Sequence, residues 1–182
     1  MILEPQKITL KDGRVCVLRT PRAEDGAALL DYMLRCNGET EYVLSYPDEF
    51  SLTAEQEGAF AEAQAQTPDS LMITCFDGGR AVGNAQISFD HRDKLRHRAT
   101  VGVGILREYW RQGIATRLME LLIAQAQARP GVECVTLEYI EGNERARALY
   151  EKLGFQERCR DEDAIHLRGG DRLALIGMIR QL

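Results

Sequence analysis

The 182-residue sequence has few of the cysteines and histidines that form zinc sites or disulfide bonds. Its five cysteines are scattered and form no CxxC pair, and its three histidines are not spaced to complete a zinc site. This pattern excludes a zinc-binding module and a disulfide-rich secreted domain. We therefore expect reduced thiols and no metal cofactor.

Long apolar runs and an excess of basic residues are absent too. No apolar run approaches the roughly 20 residues that a membrane-spanning helix requires. The first ten residues include Glu4 and Pro5 and lack the apolar region of a signal peptide. The 23 basic and 28 acidic residues give a formal net charge of −5, which is unfavourable for general nucleic-acid binding. These absences predict a cytoplasmic protein without a membrane or nucleic-acid partner.

The organisation of the chain is that of one unit, because no repeat, low-complexity segment or linker divides it. We expect a single domain over residues 1–182. Alternating apolar residues flank turn sequences at residues 11–13, 77–79 and 169–170, which predicts three strand pairs. Helical spacing of apolar residues predicts four helices. These helices begin near Pro21, Thr53, Ile114 and Asn143. About seven strands and four helices in mixed order predict an α/β (α+β) fold with one mixed, mostly antiparallel sheet.

Residues 101–119 have the pattern of an anion-binding turn. An apolar strand leads through a short polar stretch into a helix whose first turn contains Gly113 and Ala115. The first N–H groups of a helix are unpaired and partly positive, and small residues let an anion approach them. Three arginines add positive charge to this turn: Arg107, Arg111 and Arg117. The glycines of a P-loop are absent, and Arg107 stands where a dinucleotide fingerprint that begins at Gly102 needs its third glycine.

A second pattern lies in residues 143–155. Asn143, Ala146 and Tyr150 are offset by three and then four residues, so they lie along one stripe of a helix. An amide, a small side chain and a phenol in a row suit a narrow ligand. In the alternative interpretation, Asn143 only caps the helix, while Tyr150 and Leu153 pack in the core.

Together the two patterns resemble the GCN5-related N-acetyltransferase (GNAT) superfamily. The strand, a [QR]xxGx[GA]-type turn at residues 110–115 and an NxxAxxLYxKxGF helix at residues 143–155 occur in the order typical of that family. One departure is Trp110, which stands at the first [QR] position. Within the superfamily, residues 97–103 and 108–113 are similar to small-molecule amine or amino-acid acetyltransferases. The resemblance also implies that the terminal hairpin pairs across a homodimer.

The resemblance implies acetyl-CoA as the co-substrate and assigns roles to particular residues. The backbone of three residues would pair with the pantetheine arm: Ile105, Leu106 and Arg107. Backbone amides of six residues would hold the diphosphate: Arg111, Gln112, Gly113, Ile114, Ala115 and Thr116. Asn143 and Ala146 would line the pantetheine, and Lys152 would reach the adenosine end. Tyr150 would give a proton or a hydrogen bond to the departing thiolate.

The amine side of the reaction is less defined. An alkylamine has a pKa of about 10.4, so the enzyme must remove a proton before the neutral amine attacks a thioester. Similar sequences carry a carboxylate where this chain has Thr100, and Glu138 on the neighbouring strand is the candidate base, through a water molecule. Its alternative is an ordinary solvated glutamate. Three residues of the loop between the first two helices are candidates for amine recognition or for plain exposed polarity: Glu39, Glu41 and Tyr46.

Three functions fit these residues. The first is direct transfer of acetyl from acetyl-CoA to a primary amine of a small molecule or amino acid, within a ternary complex. No cysteine lies beside a helix start or a histidine in the sequence, which argues against a covalent enzyme intermediate. The second is acetylation of a protein or peptide, and the third is a non-catalytic acyl-CoA-binding sensor that has lost its base.

Overall fold

The computed structural model describes all 182 residues and contains one eight-stranded sheet with four α-helices. The strands are β1 (Gln6–Thr9), β2 (Val15–Arg19), β3 (Ser70–Asp77), β4 (Arg80–Phe89), β5 (Arg98–Ile105), β6 (Cys134–Ile140), β7 (Gln156–His166) and β8 (Arg172–Gln181). The helices are α1 (Gly26–Gly38), α2 (Ala54–Gln66), α3 (Ile114–Ala128) and α4 (Glu144–Lys152). None of the helices is both long enough and apolar enough to span a bilayer.

The strand order is β1-β2-β3-β4-β5-β6-β8-β7, and only the β5–β6 pair is parallel. The predicted mixed, mostly antiparallel fold class is confirmed, with one strand more than the expected seven. Strands pair on either side of all three predicted turns. Helix α2 also begins as predicted, because Thr53 Oγ1 accepts a hydrogen bond from Gln56 N at 3.3 Å and Gln56 Oε1 accepts one from Thr53 N at 2.8 Å.

The first helix begins later than the sequence pattern predicts. It starts at Gly26 rather than at Pro21, and residues 23–25 form a tighter 3₁₀ turn. The Asp25 carboxylate accepts a hydrogen bond from Arg22 N at 2.7 Å and forms a two-pronged ion pair with Arg19 at 2.6 and 2.7 Å. These bonds hold the tighter turn, which the spacing of apolar residues does not encode.

The two faces of the sheet are different. On one face α3 covers buried apolar residues of the central strands, among them Ala85, Ile87 and Val101. On the other face α1 and α2 lie over polar residues of β4, and Gln86 Nε2 donates to Gln64 Oε1 of α2 at 3.0 Å. A polar strand surface does not close into a dry core. The first face therefore supplies the core, and the second leaves room for a binding cavity.

Candidate active site

The site lies where the two central strands separate. β5 and β6 pair through only three registered positions, the last being Thr100 with Thr136, whose hydroxyl oxygens are 3.3 Å apart. Beyond this point the strands diverge. A cavity of about 380 Å³ occupies the gap, bounded by residues 102–105 of β5, the first turn of α3, helix α4 and the loop after α1.

The first turn of α3 closes one end of this cavity with unpaired N–H groups. Arg117 N is the first in the helix to find a backbone acceptor, Gly113 O at 3.1 Å, so residues 111–116 donate to no backbone carbonyl. Positive φ angles at Arg111 (63°) and Gly113 (90°) turn successive amides towards one side. Such a concavity at a helix N-terminus is suited to anions. A Cβ on Gly113 would meet no atom within 4 Å, so the space before it is open.

Positive side chains surround the same turn without a matching set of carboxylates. Arg145 stacks on Trp110, with its guanidinium carbon 3.2 Å from the ring centroid, and Arg107 lies 5.3 Å from the same centroid. Burial, and then the charges of Arg107 and Arg111, lower the pKa of Arg145. Neither Arg111 nor Arg145 has an ion-pair partner in the protein. This concentration of charge is suited to a phosphorylated ligand.

Sequence analysis missed the role of Arg145, and Trp110 appeared there only as a departure from the family pattern. Both border the cavity. Trp110 Nε1 donates to Ile105 O at 2.8 Å, so the indole fixes the end of β5 and offers its face to Arg145. Trp110 in place of a glutamine or arginine was the available signal for Arg145. An aromatic ring carries no charge but binds a cation on its face, so a nearby arginine could be expected to stack on it.

The backbone of β5 presents alternate residues to the gap. Leu106 N donates to Val82 O of β4 at 3.0 Å. Backbone groups of successive residues alternate in direction along a strand, so the N–H and C=O groups of Val103 and Ile105 point away from β4 and towards the gap. Of the three residues expected to pair with pantetheine, Ile105 borders the cavity. Leu106 N is used within the sheet, and Arg107 N donates to Glu39 Oε2 at 2.6 Å.

Helix α4 supplies the opposite wall. Asn143 Oδ1 accepts a hydrogen bond from Ala146 N at 3.2 Å, and both residues border the cavity, so Asn143 caps the helix and lines the site at once. Tyr150 also borders it, although only 6% of its surface is exposed. Burial raises the pKa of Tyr150 to about 12, so its phenol keeps its proton near neutral pH. Lys152 is exposed and lies outside the cavity lining.

The remaining residues of the turn divide between the cavity and its surroundings. Ile114, Ala115 and Thr116 border the cavity together with Gly113. Gln112 does not, and its Oε1 accepts a hydrogen bond from Asp12 N at 3.3 Å, in the turn between β1 and β2.

Glu138 and Tyr150 are brought into the same cavity. Glu138 follows Thr136 by two residues on β6, just as Gly102 follows Thr100 on β5, so the two positions flank the widening gap. The Glu138 side chain is exposed and makes no hydrogen bond or ion pair within the protein. It is therefore free to contact water or a ligand in the cavity.

The loop between α1 and α2 does not assemble the three expected amine-recognition residues. Glu39 binds Arg107, and Glu41 is exposed and outside the cavity lining. Tyr46 faces the turn between β7 and β8, where its hydroxyl accepts a hydrogen bond from Arg168 N at 3.0 Å and its ring lies 3.9 Å from the Arg168 guanidinium carbon. The loop instead borders the cavity through three intervening residues: Thr40, Tyr42 and Val43.

A second cavity, of about 680 Å³, lies between α1, α2 and the polar face of the sheet. It shares residues 102–104 with the first cavity, so the two meet at β5. Gly104 permits the close approach of α1, because a Cβ there would lie 2.6 Å from the Tyr32 hydroxyl. Glu57 of α2 borders this second cavity, and burial raises its pKa. Sequence analysis did not identify Glu57, although its spacing from Ala61 and Gln64 places it on the inner stripe of α2.

Comparison with known proteins matches this geometry to a family. Residues 30–155 match the model of the "Acetyltransferase (GNAT) family". Over 83 residues the chain is 30% identical to a Bacillus subtilis protein named "Putative ribosomal N-acetyltransferase YdaF". The matched residues are 46% of this chain and 45% of that relative. The chain thus matches less than half the length of this curated relative.

Two solved structures share the fold along nearly the whole chain. An acetyltransferase of the GNAT family from Streptococcus pneumoniae superposes with a TM-score of 0.85 at 26% identity, covering 92% of this chain and 99% of that one. YncA from Salmonella typhimurium, solved with its cofactor acetyl-CoA, superposes with a TM-score of 0.77 at 18% identity, covering 92% and 94%.

Proposed function

Because the chain belongs to the acetyltransferase (GNAT) family, we propose that it transfers an acetyl group from acetyl-CoA to a primary amine. The observation that carries this proposal is the junction of the two cavities at residues 102–104. One cavity extends from there to the start of α3, which is suited to anions, and the other lies between α1, α2 and the sheet. Two substrates can therefore meet at β5 within a ternary complex.

The residues present fit coenzyme A. The unpaired amides of residues 111–116, together with Arg111 and Arg145, suit a diphosphate. The gap between β5 and α4 is bordered by uncharged residues such as Ala146 and Leu149, which suits the pantetheine arm. Acetyl-CoA supplies a thioester whose carbonyl carbon accepts the amine nitrogen.

The protein has three tasks in this reaction. The backbone of β5 facing the gap, at Val103 and Ile105, orients the acyl group and offers hydrogen bonds to its oxygen. Glu138 takes the proton that the amine must lose, through water in the open gap. The buried phenol of Tyr150 stays protonated because its pKa is raised, so it donates a hydrogen bond to the departing thiolate, and the proton released by the amine finally neutralises that thiolate.

Two classes of acceptor fit the proposed acetyl transfer. The sequence resemblance favoured a small-molecule amine or amino acid, whereas the curated relative is named as a ribosomal N-acetyltransferase. The volume of the second cavity and the residues 102–104 that it shares with the first also suit the end of a polypeptide. Protein or peptide acetylation is therefore the second candidate function.

The first experiment is thiol release from acetyl-CoA by purified protein, with amines, amino acids and short peptides as acceptors. We expect release that depends on the acceptor, together with acetyl-CoA binding by calorimetry. Binding without release, across acceptors and a ribosomal protein extract, would instead favour the acyl-CoA sensor. A lack of acetyl-CoA binding would contradict the proposal as a whole.

A further inference from the structure

Glu57 is a buried carboxylate that no part of the fold uses. Only 7% of its surface is exposed, and its carboxylate forms no hydrogen bond and no ion pair with another residue. Its carboxylate oxygens nevertheless keep contact with solvent in the cavity, so the charge has no partner inside the protein and stays available to a ligand. It borders the second cavity, where a ligand from solution can reach it.

The charge of the second cavity is set by Glu57 alone. The lining contains no lysine, arginine, histidine or second carboxylate. Its neutral polar residues are Tyr32, Asn84, Gln86, Ser88 and Thr100, and its large apolar residues include Leu29, Met33, Phe50, Leu52 and Phe60. A cavity of this composition attracts a cation that carries an apolar group, and it has no counter-ion for an anion.

The rim of this cavity is apolar on the side open to solvent. Leu52 is 45% exposed and Phe60 is 47% exposed, and both line the cavity as well. An apolar segment of the acceptor that enters here would bury these side chains.

We infer that Glu57 binds the ammonium group of the acceptor, and that the acceptor is an amine without a carboxylate on the adjacent carbon: the amino terminus of an apolar peptide or chain rather than a free amino acid. The inference rests on the proposed acetyl transfer. A free amino acid would bring its carboxylate into the same cavity as Glu57, where like charges repel and the lining holds no cation.

The nearest arginines do not change this conclusion. Arg92 and Arg98 border a neighbouring surface pocket that shares Ser88 and Thr100 with the second cavity, and Arg92 is paired with Asp90. At about 3.3 Å per residue of strand, Arg98 lies roughly 13 Å along β5 from Gly102. The carboxylate of an amino acid is only about one carbon away from its amine, so it cannot reach these arginines while the amine lies at the junction of the two cavities.

Matched acceptors test the inference. Thiol release is measured for phenylalaninamide against phenylalanine and for leucinamide against leucine, with full-length protein and acetyl-CoA. We expect kcat/KM for each amide to exceed that of its acid by at least about tenfold, because a like charge in this cavity costs more than the 1.4 kcal/mol equivalent to a factor of ten. Free acids that react as well as their amides would overturn the assignment of the acceptor.

The role of Glu57 itself is tested by Glu57→Gln, with Glu57→Asp as a variant that keeps the charge. We expect Glu57→Gln to raise KM for the amides about tenfold and to leave KM for acetyl-CoA unchanged. The ratio of kcat/KM for each amide to kcat/KM for its acid should become smaller. Glu57→Asp should keep the preference for amides. Glu55→Gln, an exposed position on the same helix, is the matched control and should change none of these values. An unchanged KM in Glu57→Gln would overturn the role of Glu57.

Calorimetry separates this inference from the proposed function. If no acceptor releases thiol, acetyl transfer fails as a function, but binding of leucinamide to the protein loaded with coenzyme A can still be measured. Binding that Glu57→Gln weakens would support the amine site even then. Absence of binding by both amides would overturn it.

Discussion

The two cavities that meet at β5 are built in different ways. The acyl-donor side, formed by the end of β5 and by the starts of α3 and α4, presents mainly backbone amides, small residues and unpaired arginines. The acceptor side, formed by α1, α2 and the polar face of the sheet, presents side chains and a single buried charge. Under the proposed function, backbone groups would recognise what all coenzyme A thioesters share, whereas side chains would set the choice of amine. The difference separates a general function from a specific one.

The largest expected effect is a loss of acetyl-CoA affinity caused by a substitution on the acyl-donor side. Gly113→Glu places a Cβ at a φ of 90° and a negative charge before the amides of α3. We expect the acetyl-CoA affinity to fall about 1000-fold, or about 4 kcal/mol, from backbone strain and charge repulsion together. Calorimetry measures the loss.

Gly131→Glu is the control, because Gly131 has a φ of 83° and open space but lies beyond the other end of α3. Gly131→Glu introduces the same kind of backbone strain but places the new charge far from the first turn of α3. Equal affinities in the two variants would contradict the anion-binding role of the first turn.

The next effect separates binding from chemistry on the donor side. Tyr150→Phe removes the phenolic proton while keeping the ring, which packs 6.1 Å from the rings of Tyr139 and Phe155. We expect kcat to fall about 100-fold with little change in acetyl-CoA affinity. Steady-state kinetics and calorimetry on the same preparation check this, and an unchanged kcat would remove Tyr150 from the mechanism.

A smaller effect is expected where the two sides meet. Glu138→Gln keeps the shape of the side chain and removes its ability to accept a proton. Since the proton is transferred through water, we expect kcat/KM to fall about tenfold at pH 7, with less loss at high pH where more of the amine is neutral. Glu133→Gln, exposed just before β6, is the matched control. The same activity in both variants at every pH would exclude Glu138 as the base.

The smallest effect concerns stability on the acceptor side. Burial raises the pKa of Glu57, because the ionised carboxylate is less well solvated in the folded state than in the unfolded chain. The wild-type protein therefore loses stability as the pH rises through the pKa of the folded state, and Glu57→Gln should be more stable by about 1 kcal/mol near pH 7.5. The gain should disappear as the pH falls below the pKa of the unfolded chain.

Urea unfolding at pH 4 and pH 7.5 measures this difference, with Glu55→Gln as the reference. A destabilised Glu57→Gln protein at pH 7.5 would show that Glu57 serves the fold rather than the ligand.

Much of the donor side could be predicted because its signals are local. The glycine at the start of α3 and the Asn143 cap of α4 depend on neighbours within a few residues, as do the Thr53 capping box of α2 and the hairpin turns elsewhere in the fold. Asn143 and Tyr150 lie on one helical stripe for the same reason. Arg145 lies in the same segment but was missed, because its role depends on Trp110, which is 35 residues away.

The acceptor side could not be predicted in the same way. Glu39 and Tyr46 are polar loop residues whose sequence suggests amine binding, yet their partners are Arg107 and Arg168, which are distant in the chain. Glu57 looks like an ordinary helix glutamate until α2 is packed on the sheet. Its burial is a property of that packing.

The sequence by itself determined the family, the fold class and the anion-binding turn, because periodicity, capping and small residues at a helix start act over short distances. Only the tertiary structure decided where β5 and β6 separate, which residues the two cavities share there and which carboxylate borders the second cavity. These features depend on contacts between segments far apart in the chain, and the spacing of residues carries no record of them.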